Sequence, residues 1–199
     1  LIIGGLNGVL TGPIPIKTSY FGQPLAVNLG EYAAEGGAPS HALSCHRDSY
    51  WRVYSTDLAM RFFPIPEEMR TSDNDASCVV QVVWHGQRIM ISGDASQSVE
   101  MWLVQTYGGE LRSDILIVGH HGSRTSTAEL WLDAVRPKQA WISVGFQSRF
   151  GHPHQEVMER LAARGIDIIR TDERGRWQMN ADGSGSGARD GWQFLWRQP

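Results

Sequence analysis

Apolar and polar positions change their rhythm part-way along this chain. Residues 1–50 are rich in Gly, Pro, Asn and Ser, with short apolar pieces such as LAVNL between them. Two runs that follow, YWRVYS and LAMRFFPI, have the aromatic and β-branched content of strands. Next, SCVVQVVW, His85-Gly86 and QRIMIS predict a hairpin with a two-residue turn, because glycine at the second turn position suits type I′ geometry. With that turn, facing positions sum to about 171 by the period of an antiparallel pair, which sets Ser77 opposite Asp94. Both strands are apolar on both faces, so the pattern predicts a sheet covered on both sides.

Beyond the hairpin the period alternates between strand and helix. RIMIS leads through GDAS to QSVEMWLVQTYGG, where Val99, Trp102 and Leu103 share a helical face. DILIV leads through GHHGSRTS to TAELWLDAV, with Ser126 and Glu129 spaced as a capping box. AWISV leads through GFQSRFGHPH to QEVMERLAARG. IDIIRT and GRWQMN read as strands, 181–190 (ADGSGSGARD) as a flexible connection, and GWQFLW as a last strand.

Composition narrows the class. The 199 residues suffice for one sizeable domain, and 41% apolar with 20% charged residues is ordinary for a globular protein. Net charge is −3, and no Lys/Arg run offers a strong electrostatic grip on nucleic acid or membrane. A phosphate-bearing ligand would need positive charge from elsewhere, such as a metal. No apolar run reaches transmembrane length, and the opening LIIGGLNGVL is too short and glycine-rich for a signal or a span. Cys45 and Cys78 are too few and too far apart for a zinc ribbon; buried thiols and a single disulfide both fit.

The layout then points to chemistry. Asp94, the pair His120 and His121, and the pair His152 and His154 each follow the carboxyl end of a strand in successive strand–loop–helix units. If those strands are parallel, the ends line one sheet edge, where open α/β sheets bind ligands. Asp73 to Asp75 would project beyond the same edge. Aspartate and neutral histidine are ligand types of zinc and manganese sites. Ordinary roles stand beside this one: a turn or cap aspartate, a hydrogen-bonded surface histidine pair, a rigid His-Pro-His turn. His41, His46 and His85 sit in polar or turn contexts and are read as structural.

Taken together, IGGLNGVL, SDNDASCVVQVVWHGQRIMISGDAS, VGHHGSRTS and ISVGFQSRFGHPHQEVMERL resemble the carboxy-terminal metallo-β-lactamase-like domain of ComEC-type competence proteins, in order from about Ile3 to Thr171. The resemblance implies an α/β fold, the four-layer αββα sandwich, over residues 1–199. It implies a metal-dependent phosphodiester hydrolase on the periplasmic side of a multi-pass inner-membrane DNA-uptake protein, cutting the strand that is not imported. Two divalent ions, manganese or zinc, belong to the intact domain. Asp94 matches the carboxylate bridging them. His121, or alternatively His120, matches a ligand or proton donor. His152 or His154 matches the last metal histidine. Asn74 and Ser77 match a polar segment beside the site, and Ser123 and Arg124 fall where substrate would pass. The implied partners are DNA, the rest of the channel protein and other competence-machinery proteins.

One departure accompanies the match. The family's His-x-His-x-Asp-His motif stands directly ahead of its IGG, and here only Leu1 and Ile2 precede Ile3. The expectation is a domain truncated at its amino end, with a partial metal site or none. Two alternatives remain: a hydrolase of the same superfamily acting on a small substrate, and a non-catalytic module that guides DNA or docks the channel.

Overall fold

A computed structural model describes residues 18–21 and 41–191. LAVNL, the IGGLNGVL stretch and all of GWQFLW but its first glycine lie outside the described residues. Two short strands, β1 (Thr18–Phe21) and β2 (His41–Ser44), pair in parallel. Seven more form the central sheet in sequence order: β3 (Arg52–Val53), β4 (Leu58–Phe63), β5 (Val79–Trp84), β6 (Gln87–Ile91), β7 (Ile115–Ile117), β8 (Gln139–Ile142) and β9 (Asp167–Arg170). β3 to β6 are joined antiparallel, and β6 to β9 run parallel. The hairpin register is the expected one, with Val80 opposite Ile91 and Trp84 opposite Gln87.

Each parallel strand is followed by a helix: α1 (Gln97–Tyr107), α2 (Glu129–Val135), α3 (Gln155–Ala163) and the single turn α4 (Thr171–Arg174). The first three crossovers step the same way along the sheet, and right-handed crossovers place all three helices on one face. That face carries the core. Val79, Met90, Leu116, Ala140 and Ile142 of the sheet pack against Val99, Leu103, Trp131, Leu132, Val135, Val157 and Leu161 of the helices. On the opposite face Ile115 and Ile169 are buried, and cover of the face as a whole is partial among the described residues. Val80, Val82, Ile89, Ile91, Ile117 and Trp141 point there and are only half-buried among the described residues.

Residues 181–190, expected as a flexible connection, include a short strand. β11 (Gly185–Gly187) pairs antiparallel with β10 (Trp177–Met179). The Arg174 guanidinium holds Asp190 at 2.7 Å, and the Gly187 N–H donates to the same carboxylate. Trp177 meets Trp141 edge-on with ring centres 6.2 Å apart, which seats this hairpin on the half-covered face. Cys45 and Cys78 form a disulfide across a separation of 33 residues, joining the end of β2 to the start of β5. This decides between the two readings that spacing left open.

Candidate active site

Because β5 runs against β6, the residues just before β5 and just after β6 share one edge with the exits of β7 and β8. Asp94, half-buried, lies there. Its N–H donates to Ser77 Oγ at 3.0 Å, so the expected pairing of these positions is met and Ser77 acts as a backbone anchor. The preceding Gly93 has φ +58, and an added Cβ would fall 2.8 Å from the Ser77 Cβ. The buried carboxylate of this loop is Asp75, whose Oδ2 accepts from Thr71 and Ser72 hydroxyls and whose Oδ1 accepts from the Ser96 N–H. Asn74 is exposed and contributes its backbone oxygen to the Ser77 N–H.

The histidine pair follows β7. His120 and His121 both adopt left-handed backbone, with φ +46 and +56. The His120 N–H donates to Gly93 O at 3.0 Å, tying the pair to the residue before Asp94. His121 Nδ1–H donates to Ser143 O at 2.7 Å, which leaves Nε2 with a free lone pair. His120 Nδ1 lies 3.4 Å from Thr125 Oγ1, which in turn shares a hydrogen bond with buried Ser123. Ser123 thus supports the loop from within. Arg124 is exposed, and Gln97 Nε2 donates to its backbone oxygen at 2.8 Å.

The third segment closes over the second. The His152 ring lies 5.8 Å from the His120 ring, and His120 lies 6.4 Å from His121. Burial, followed by the imidazoles of His120, His121 and His154, holds the His152 imidazole below the usual histidine pKa, so it is neutral at physiological pH. The His154 N–H donates to Gly122 O at 2.8 Å. His154 Nδ1 is buried without a hydrogen bond and stands 4.0 Å from Glu156 Oε1, too long for one. Gly122 has φ +82, and a Cβ there would meet Pro153 Cβ at 2.7 Å. Gly122→Ala is therefore expected to cost about 1–3 kcal/mol and to separate His120 from His152. Thermal unfolding and ring–ring NOEs check this; an unchanged midpoint with intact NOEs contradicts it.

Sequence reading missed the clamp beneath the loop. Glu100 of α1 is fully buried, and its Oε1 and Oε2 accept the Thr127 and Ala128 N–H groups at 2.7 and 2.8 Å. The expected capping box does not form. The Ser126 hydroxyl donates to Ala95 O instead, and α2 has no cap from its own first-turn side chains. The available signal was an acidic residue on the apolar stripe with Leu103 and Tyr107, at the i, i+3, i+7 spacing of a buried helix face.

The edge thus gathers Asp94, His120, His121, His152 and His154. Among the described residues, no three His, Cys, Asp or Glu side chains converge closely enough to hold a metal ion. The expected ligands Asp94, His121, His152 and His154 therefore do not make up a metal centre by themselves among the described residues. The geometry offers imidazoles at a strand edge, with His121 held by Ser143 O and its Nε2 open, suited to accepting and returning a proton.

Comparison with known proteins bears on what uses this edge. No family model matches the chain. It is 33% identical over 197 residues, 98% of its length, to Competence protein ComA of Neisseria gonorrhoeae. The chain belongs to the ComEC-type competence proteins. It is 38% identical over 134 residues to Recombination protein 2 of Haemophilus influenzae and 36% over 107 residues to ComE operon protein 3 of Bacillus subtilis. This ComEC-type domain spans 26% of the length of ComA and 14% of ComE operon protein 3. Among solved structures, CmlA, a diiron β-hydroxylase from Streptomyces venezuelae, superposes over 76% of this chain and 38% of its own, with TM-score 0.50 and 10% identity. That likeness concerns fold alone and gives the ComEC-type domain a metallo-β-lactamase-like fold. Among the described residues no helix is long and apolar enough to cross a membrane.

Proposed function

We propose that this chain is the DNA-processing domain of a competence protein, and that the edge bearing Asp94 and the histidines is where a phosphodiester backbone is bound and hydrolysed. The observation that carries the proposal is the gathering of Asp94, His120, His121 and His152 at the exits of successive parallel strands, in a chain of the ComEC type. His121, with Nδ1 engaged by Ser143 O and Nε2 open, is assigned proton transfer at the bridging oxygen. Exposed Arg124 is assigned a contact to phosphate. A divalent metal, manganese or zinc, belongs to this reading. Among the described residues no group of three ligands forms its site.

The Cys45–Cys78 disulfide supports placement on the periplasmic side of the inner membrane, since such bonds persist in oxidising compartments. The membrane connection, and partners from the competence machinery, come through the remainder of the protein. The half-buried second face of the sheet supports the four-layer αββα arrangement. A DNA-guiding module without catalysis is the second reading, favoured by the lack of a converged metal group among the described residues.

Metal and DNA assays separate the two. The chain alone is expected to hold divalent metal weakly, and two tightly held ions per chain on metal analysis would contradict this. Joined to a His-x-His-x-Asp-His segment upstream, it is expected to cut DNA with manganese or zinc. Asp94→Asn should lower that rate at least 100-fold, at the scale set by losing one preorganised charge at a site, about 10²–10³. His85→Ala, at the hairpin turn, should leave it unchanged. Folded, metal-loaded protein that cuts neither single- nor double-stranded DNA rejects hydrolysis in favour of guiding.

A further inference from the structure

Two aromatic rings stand exposed on the segment after β8. Phe146 and Phe150 are 72% and 79% exposed, the two most exposed large aromatic side chains among the described residues. The segment that carries them is held at both ends. On one side, the Val144 N–H donates to Thr171 Oγ1 at 2.8 Å; on the other, the His154 N–H donates to Gly122 O. Between these anchors, Gly151 N–H closes a turn on Ser148 O at 3.1 Å. The chain therefore presents the two rings to solvent from a pinned loop.

Phe150 is continuous with the histidine edge, and Phe146 stands on the same loop. Phe150 lies 6.0 Å from His152 with their planes tilted by only 31°, and His152 lies 5.8 Å from His120. A line of flat, unsaturated rings thus runs from solvent to the residues assigned to the phosphodiester. Charge on the loop itself is one-sided. Residues 143–154 contain Arg149 and no acidic side chain. Arg149 and Arg124 are both exposed, and neither has an ion-pair partner among the described residues.

Exposed apolar rings on a pinned loop mark a binding surface. A protein-docking patch and a membrane anchor would use such rings too, but neither needs one of them set beside an imidazole edge, with arginines that have no ion-pair partner among the described residues. Aromatic faces beside cations are what single-stranded nucleic acid uses, since every base has a π-face and every linkage a negative charge. We propose that Phe146 and Phe150, with Arg124 and Arg149, form a base-stacking platform that binds unpaired nucleotides and leads their backbone to the His152–His120 edge. This rests on the reading of that edge as a DNA site.

The test is fluorescence anisotropy of the full chain with a labelled oligo-dT 20-mer, the same length of abasic oligonucleotide, and a 20-base-pair duplex. Wild type should bind oligo-dT, and the combined Phe146→Ala and Phe150→Ala variant should bind it about 10- to 100-fold more weakly, the range expected for loss of one or two base stacks. Duplex and abasic affinities should change less than about twofold, because neither offers an unpaired base. Phe150→Leu should fail to restore binding and Phe150→Trp should restore it. Both rings are exposed, so the variants should unfold at the wild-type temperature. The proposal is overturned if oligo-dT binding survives loss of both rings, if the abasic strand binds as tightly as oligo-dT, or if leucine serves as well as phenylalanine. In each of those cases DNA still binds and the edge keeps its assignment. Absence of any DNA binding by wild type removes both.

Discussion

Glu100→Ala is expected to lower the stability of the fold by about 2–5 kcal/mol, among the larger effects of any single substitution in the chain. The carboxylate is fully buried, and its removal leaves the Thr127 and Ala128 N–H groups without acceptors. It also deprives the Arg160 guanidinium, which donates to Thr127 O at 3.2 Å, of a nearby negative charge. Chemical denaturation measures the loss; a change under about 1 kcal/mol would show that the loop stands without its clamp. The pH dependence is distinctive. Burial pushes the Glu100 carboxyl up to about 7, against the opposing pull of the Ala128 and Thr127 N–H groups and of Arg160. An ordinary glutamate in the unfolded chain ionises near 4.5, so between 4.5 and about 7 the folded state holds the extra proton. Stability contributed by this group is thus complete below 4.5 and falls as pH rises through about 7, by about 3 kcal/mol in all. Glu100→Gln cannot titrate. The stability difference between wild type and this variant should therefore shift by that amount, against wild type, between pH 4.5 and 7.5. A difference independent of pH would show that Glu100 is ionised throughout.

Breaking the Cys45–Cys78 bond is expected to cost about 3–4 kcal/mol, from loop-closure entropy restored to the unfolded chain over a 33-residue separation. The loss should not stop at global stability. Cys78 directly follows Ser77, which holds the Asp94 N–H, and the same loop carries Asp75, which holds the Ser96 N–H. His46 adds a second tie to this region: its Nδ1 accepts from the Ile65 N–H, and its Nε2–H therefore donates to Ala76 O. Urea unfolding of the Cys45→Ser and Cys78→Ser double variant measures the energy. Amide exchange at Asp94 and Ser96 reports the loosening. Equal stability with and without reductant, together with two thiols that react in the native protein, would contradict the bond and its role.

Much of this was legible from local pattern. The His85-Gly86 turn set the hairpin register, and that register placed Ser77 against Asp94 without any long-range information. Strand–helix alternation placed Asp94, His120 and His152 at one edge because parallel crossovers leave no other choice. What escaped were interactions set by tertiary packing. Glu100 reaches across to a different helix, and nothing in Ser126 or Glu129 shows that their spacing will go unused. The pairing of Cys45 with Cys78 depends on how β2 returns to β5. Residues 181–190 had the composition of a linker, yet Asp190 and Trp177 give β11 a place to pack.

The left-handed backbone at His120, His121 and Gly122 restricts which side chains can serve there. Among residues with a lone pair to offer, histidine, asparagine and aspartate enter this conformation most readily, while others pay about 1–2 kcal/mol each. The chemical alphabet of the loop is therefore narrowed by its shape before any substrate arrives. An alanine at position 121 removes the imidazole and adds backbone strain together, so its effect overstates what the ring contributes. Asparagine keeps the backbone at ease and a polar group near Ser143 O, and the difference between the two substitutions separates the work of the ring from the work of the turn.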